Sequence, residues 1–238
     1  MLPIRDHLST RTVPAVNYAL LALNFGVFGL EASVPEDGAE AFTRRWALIP
    51  GQLAAHPLAS APSLVTHMFL HGGLAHVAGN MLFLWIFGDN VEDALGHARY
   101  ALFYLACGVA AALGQVAVSP HSMVPMLGAS GAISGVLAAY GVLYPRSPIT
   151  VVNPIPPMWL FWGLFMSFPA WLVIAEYFVV NLWNAFEPST EAGGVAFAAH
   201  VGGFIAGLVL LPVLRTRDPV DYDAWDRWLG PRRDRLGA

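Results

Sequence analysis

Six apolar stretches divide this 238-residue chain, at about Pro14–Leu30, His67–Phe87, Tyr100–Val118, Ala129–Tyr144, Met158–Trp183 and Gly194–Leu214. A helix crosses the ~30 Å hydrocarbon layer with about 20 apolar residues. In lipid every backbone N–H and C=O must bond within the structure, so only helices and closed barrels cross. Strand-like alternation is absent, which disfavours a barrel. The expected fold is therefore all-α: a polytopic bundle of six transmembrane helices. Only 12% of the residues are charged and 56% are hydrophobic, against about 25% charged in a soluble domain. That balance excludes a soluble single domain and a disordered chain. The net charge is -4, so nucleic acid is not an expected partner. The one cysteine, Cys107, excludes an internal disulfide and a cysteine metal cage.

The arginines orient the bundle. With six spans, ten of the twelve basic residues fall on one side, and Arg44 and Arg45 alone fall on the other. The positive-inside rule then places both termini in the cytoplasm. Residues 1–13 read as a cytoplasmic N-terminus, 14–214 as the membrane domain and 215–238 as a cytoplasmic tail around Trp225 and Trp228. Reading the first stretch as a cleaved signal peptide would leave five spans and undo the arginine split. Residues 31–66 are too apolar for a solvated loop and too broken by proline and glycine to span. They read as an element lying in the outer interface. The expected location is the cell membrane, inner or plasma.

Polar groups inside a bilayer are costly and mark function. The second stretch carries His67, His71, His76 and Asn80; both 67/71 and 76/80 are i, i+4 pairs, expected to share helix faces. The fourth opens Gly128-Ala129-Ser130-Gly131, and the sixth opens Ala199-His200-Val201-Gly202-Gly203. Serine needs an adjacent base to act as a nucleophile, and histidine is the usual one. Ser130 and His200 are the candidate pair. Gly131 and Gly135 form one small-residue row, Gly203 and Gly207 another, and such rows let helices approach closely in lipid. An oxyanion would take donors from the Asn80 amide, a His76 ring N–H and the Ser130 backbone N–H. Gly128 lets the chain turn into that helix. His67 and His71 read as caps or bridges near the outer interface, Ser134 and Cys107 as packing residues, and Glu176 has no assigned role. No carboxylate lies among the span-two histidines and no His-Glu-x-x-His is present, so neither a metal nor a cofactor is expected.

These residues resemble a known family. Gly128-Ala129-Ser130-Gly131 resembles the Gly-x-Ser-Gly of the rhomboid intramembrane serine proteases. Ala199-His200 with Gly203 and Gly207 resembles their Ala-His-x-x-Gly-x-x-x-Gly, and His67-x-x-x-His71 with His76-x-x-x-Asn80 resembles their second span. Gly88-x-x-x-Glu92 with Gly96 resembles the turn after it. The resemblance runs from about Thr66 to Leu211, and bacterial members also have six spans. It implies a serine endopeptidase with a Ser130–His200 dyad and no acid, and Asn80 and His76 as oxyanion partners. The substrate it implies is a single-span or polytopic membrane protein, cut in or near its transmembrane segment on the outer side. Span five and the loop Glu187–Gly194 would form the entry gate. Many members carry Trp-Arg before the second span; here Ser63-Leu64-Val65 stands there, so anchoring of the 31–66 segment falls to Arg44, Arg45 and Trp46. Two other functions compete: an inactive relative that binds and escorts membrane proteins, and a small transporter relaying protons through the span-two histidines. Inactive relatives lack the Ser or the His, and a transporter would need paired broken helices that are not seen here.

Overall fold

The computed structural model describes residues 1–217 except 154, 156, 158, 160–162 and 187–196. Its helices are α1 (Ala15–Ser33), α2 (Glu36–Trp46), three short turns α3 (Pro50–Ala55), α4 (Pro57–Ser60) and α5 (Ser63–Thr66), then α6 (Leu74–Leu95), α7 (His97–Val118), α8 (Ser130–Leu143), α9 (Ala170–Phe186) and α10 (Phe197–Leu214). Of these, α1, α7 and α10 are each long and apolar enough to cross a membrane, and α8 and Ala170–Val180 of α9 are shorter apolar segments. Many large apolar side chains on these helices face outward, including Phe25, Leu102, Trp171, Val179, Ile205 and Val209. A surface of that kind suits lipid, not water.

Short-range chemistry sets the element ends. Gly96 takes φ +78 between α6 and α7, a conformation that glycine adopts without a Cβ clash. Pro145 disfavours helix at Tyr144, and α8 stops at Leu143. The first turn of α1 has N–H groups with no intrahelical acceptor. The buried Glu92 carboxylate accepts two of them, from Val16 at 3.0 Å and Asn17 at 2.7 Å. One turn before Glu92, a Cβ on Gly88 would lie 2.2 Å from Asn17 Oδ1. The Gly88-x-x-x-Glu92 spacing thus holds the start of α1 against α6.

Two features differ from the sequence expectations. The second apolar stretch is not one helix. His67–Phe69 is a 3-10 turn, α6 starts only at Leu74, and the segment before it meets α6 at a bend of 80°. His67 and His71 therefore do not share an α-helical face, whereas His76 and Asn80 both lie on α6. The second difference is a three-stranded antiparallel sheet in the order β1 (Leu2–Asp6), β2 (Pro148–Val152), β3 (Phe165–Pro169). Within the fifth apolar stretch, Phe165–Pro169 is thus strand, and the chain becomes helix at Ala170. Strand β2 is buried at three of its five positions and half-buried at the other two, so it lacks the polar/apolar alternation that signals a strand.

The sheet is tied to the ends of α6 and α8. Asp6 Oδ2 accepts from Asn90 Nδ2 at 3.1 Å and from the Tyr140 hydroxyl at 3.0 Å. Burial pushes the Asp6 carboxyl up to about 7 from an ordinary 3.8, and the Asp89 carboxylate adds to the rise. An acid raised on folding favours the fold when protonated. Its contribution is full below the unfolded value and is lost as pH rises through about 7. Asp6→Asn keeps both bonds without the charge. Its melting temperature in detergent is expected to pull ahead of wild type as pH rises from about 4 to 7. Parallel profiles for the two proteins would refute this account of Asp6.

Candidate active site

Three helices begin at one end of the bundle and carry the polar residues singled out above: His76 and Asn80 on α6, Ser130 at the start of α8, and His200 in the first turn of α10. The glycine rows set the spacing of α8 and α10. A Cβ on Gly203 would lie 2.0 Å from the Gly131 carbonyl oxygen, and one on Gly207 2.4 Å from that of Gly135. The two backbones are in direct contact. That contact places Ser130 Oγ 2.7 Å from His200 Nε2, across 70 residues of sequence. His200 is buried and Ser130 half-buried.

The approach to Ser130 is a turn pinned from behind. Gly128 has φ +120, its N–H donates to the His67 carbonyl at 2.9 Å, and the His67 ring is fixed by a 2.8 Å bond to the Ser63 carbonyl. A Cβ on Gly128 would lie 2.8 Å from His76 Nε2 and 3.6 Å from Asn80 Nδ2. Both nitrogens therefore close on the turn that delivers Ser130. Asn80 Nδ2 is buried without a hydrogen-bond partner among the described residues. His76 Nδ1 accepts the Gly72 N–H at 3.4 Å. In a neutral imidazole the other nitrogen then carries the proton, so Nε2–H is a donor facing the same turn. The first amides of α8 add backbone donors with no intrahelical acceptor. The site thus brings a hydroxyl, a base and three kinds of donor to one place.

The other residues named from the sequence make different contacts. His71 donates its backbone N–H to the Glu31 carboxylate at 3.0 Å, and its ring packs edge-on against His76 at 5.1 Å. Cys107 packs where a Cβ on Gly135 would stand, 2.4 Å from its Sγ. Ser134 is more than a packing residue: its Oγ donates to the Ser130 carbonyl at 2.8 Å and meets the Tyr177 hydroxyl at 2.9 Å. Tyr177, on α9, lies with its ring centroid 6.3 Å from that of His200. No sequence signal pointed to Tyr177. The i+4 spacing of Ser134 from Ser130 was the available clue to its partner. Glu176 Oε1 accepts from the Met1 main-chain nitrogen at 2.8 Å. Among the described residues no group of three or more His, Cys, Asp or Glu is placed to hold a metal.

The 31–66 segment packs at this same end. Leu48 and Met126 exchange backbone bonds of 3.0 and 2.7 Å, and Thr66 Oγ1 donates to the Trp46 carbonyl at 2.6 Å. Arg45 lies over the Trp46 ring at 5.2 Å. The expected gate loop at 187–194 lies outside the described residues, as does the tail beyond 217 with Trp225 and Trp228.

Comparison with known proteins adds an independent line. The family model described as Rhomboid domain matches residues 59–217. The chain is similar to Rhomboid protein 1, mitochondrial, of Saccharomyces cerevisiae, 29% identical over 197 residues covering 81% of this chain and 51% of that protein. It is similar to Rhomboid protease GluP of Bacillus subtilis, 45% identical over 76 residues, 32% of this chain and 14% of that one. It is also similar to Presenilin-associated rhomboid-like protein, mitochondrial, of Homo sapiens, 31% identical over 133 residues, 54% and 34% respectively. The chain spans about half the length, or less, of these relatives.

Proposed function

The chain belongs to the rhomboid family, and we propose that it is an intramembrane serine endopeptidase whose nucleophile and base are Ser130 and His200. The observation that carries this reading is the 2.7 Å contact between Ser130 Oγ and His200 Nε2, in a site where Asn80, His76 and the α8 amides converge. Ser130 Oγ attacks the scissile carbonyl and His200 Nε2 takes its proton. The developing oxyanion receives hydrogen bonds from Asn80 Nδ2, His76 Nε2–H and the Ser130 backbone N–H. His200 then passes its proton to the leaving amine. A water molecule, deprotonated by His200 in turn, attacks the acyl carbonyl; the carbonyl–Oγ bond breaks, and His200 returns the proton to Ser130 Oγ.

The substrates proposed are membrane proteins, single-span or polytopic, cut in or near the transmembrane segment. The protein is a membrane protein with apolar helices. The six-span count and the orientation, with both termini on the arginine-rich side and the dyad opening to the other, are proposed on the ten-to-two arginine split. Two of the three relatives carry mitochondrial names, so the location in a cell membrane gains no support from them.

The test is cleavage of a single-span reporter by the purified protein in detergent, with mass analysis of both products. Uncut reporter would favour a binding and escort role. Asn80→Ala tests the oxyanion assignment. A donor that acts mainly in the transition state is expected to lower kcat by about 10²–10³-fold with little change in KM. A rise in KM alone would move Asn80 to substrate binding.

A further inference from the structure

Packing contributes to holding the imidazole of the dyad. His200 sits between two aromatic side chains. The Phe197 ring meets it edge-on, at 6.1 Å and 88°, and the Tyr177 ring lies tilted against it, at 6.3 Å and 35°. Phe197 is one turn away on the same helix. Tyr177 comes from a different one, α9, and its hydroxyl is fixed. Ser134 has one hydroxyl proton, which it gives to the Ser130 carbonyl at 2.8 Å. The 2.9 Å contact between Ser134 and Tyr177 is then a bond in which the tyrosine donates. The chain of contacts runs from α9 through Tyr177 to Ser134, and from Ser134 to the main chain of Ser130. The same Tyr177 ring covers His200. The Tyr177 ring also packs on Phe83 of α6 at 5.8 Å.

We propose that Tyr177 is a positioning residue for His200, and that the Tyr177–Ser134 bond is a latch making the alignment of the dyad depend on the seating of α9. One side chain touches the base and, through Ser134, the turn that carries the nucleophile. A shift of α9 away from α8 therefore breaks the latch and uncovers the imidazole together. This rests on the Ser130–His200 reading above and adds that a third helix is part of the catalytic geometry. Glu176 precedes Tyr177 in the same turn and points to the Met1 nitrogen, so the seating of α9 is also tied to strand β1.

The test uses the full chain in detergent with the single-span reporter. The end point of fluorophosphonate labelling counts competent sites, so that kcat is expressed per site. Tyr177→Leu removes ring and hydroxyl. It is expected to lower kcat per site by roughly 10–100-fold with KM nearly unchanged, the size of loss that about 1 Å of misplacement produces. The labelling rate of Ser130 should fall by a similar factor. Tyr177→Phe restores the ring without the latch and should recover most of that loss, remaining about 5-fold below wild type. Ser134→Ala should be at least as slow as Tyr177→Phe, since it removes the same bond and also the one to the Ser130 carbonyl, and the double variant should be no worse than Ser134→Ala, because the latch bond is lost only once. Wild-type kcat per site in Tyr177→Leu, a change confined to KM, or additive losses in the Phe/Ala pair would overturn the latch. If Tyr177→Leu fails to fold, Tyr177→Phe and Ser134→Ala still decide. Ser130→Ala is the control on the underlying reading. Cleavage persisting there removes the dyad and the latch with it, whereas an inactive Ser130→Ala beside an unimpaired Tyr177→Leu removes the latch alone.

Discussion

Ser130→Ala and His200→Ala are each expected to reduce reporter cleavage by on the order of 10⁴-fold or more, to the background of the assay. Ser130→Ala removes the attacking oxygen. His200→Ala leaves that oxygen in place but without the base 2.7 Å away, and an unassisted serine hydroxyl is a weak nucleophile. The two groups act as one unit, so the double variant should be no slower than the slower single variant. Fluorophosphonate labelling separates the roles. Ser130→Ala should not label at all, whereas His200→Ala should label at the same residue and far more slowly. Circular dichroism of each variant in detergent should match wild type, since neither change removes helix or core volume. Cleavage near the wild-type rate in Ser130→Ala would move the nucleophile elsewhere in the chain. Undiminished labelling of Ser130 in His200→Ala would leave the hydroxyl reactive without its base.

The legible and illegible parts of this molecule divide by the range of the interactions that set them. Helix positions in α1, α7, α8 and α10 follow from apolar run length, which is a local property. The approach of Ser130 to His200 was readable because glycine at i and i+4 on two helices is a local pattern with one strong physical use in lipid. Gly128, His76 and Asn80 meet as expected for the same reason: a tight turn needs glycine, and 76/80 is a helical spacing. The β1–β2–β3 sheet was not readable. Its strands are short, and β2 is buried or half-buried throughout, so its residues look like any apolar run. What makes Pro148–Val152 a strand is pairing with Phe165–Pro169 on one side and, on the other, with Leu2–Asp6, more than 140 positions away in sequence. The break before α6 was missed because His67 to Asn80 fits a continuous helical pattern. Gly72 and Gly73, together with the pinning of His67 to Ser63 and Gly128, interrupt it. Tyr177 was hidden for a similar reason, since nothing in its neighbourhood on α9 encodes that its ring would rest on a histidine of another helix.

Substitution of Gly203 by alanine, the smallest change available, is expected to be nearly as damaging to catalysis as loss of an oxyanion donor, though Gly203 touches no reacting atom. Its added Cβ would stand 2.0 Å from the Gly131 carbonyl oxygen and 2.9 Å from the carbonyl carbon. Backbone cannot rotate away as a flexible side chain can, so α8 and α10 must separate. Gly131 follows Ser130 directly, and the displacement falls on the nucleophile itself. A shift of about 1 Å costs on the order of 10²-fold in rate, and forced overpacking costs typically 1–3 kcal/mol of stability. Gly207→Ala meets the Gly135 backbone at 2.4–2.9 Å, one helical turn further from the dyad. It should lose similar stability but less kcat per competent site. Gly26→Ala is the control, because a Cβ there meets nothing within 4 Å, and alanine favours a helix over glycine by about 1 kcal/mol. Melting temperature in detergent and kcat per labelled site, read on all three variants at equal expression, give the comparison. Wild-type kcat in Gly203→Ala would mean that α8 and α10 do not touch at Gly131, and the close approach that places Ser130 against His200 would have to arise from some other contact.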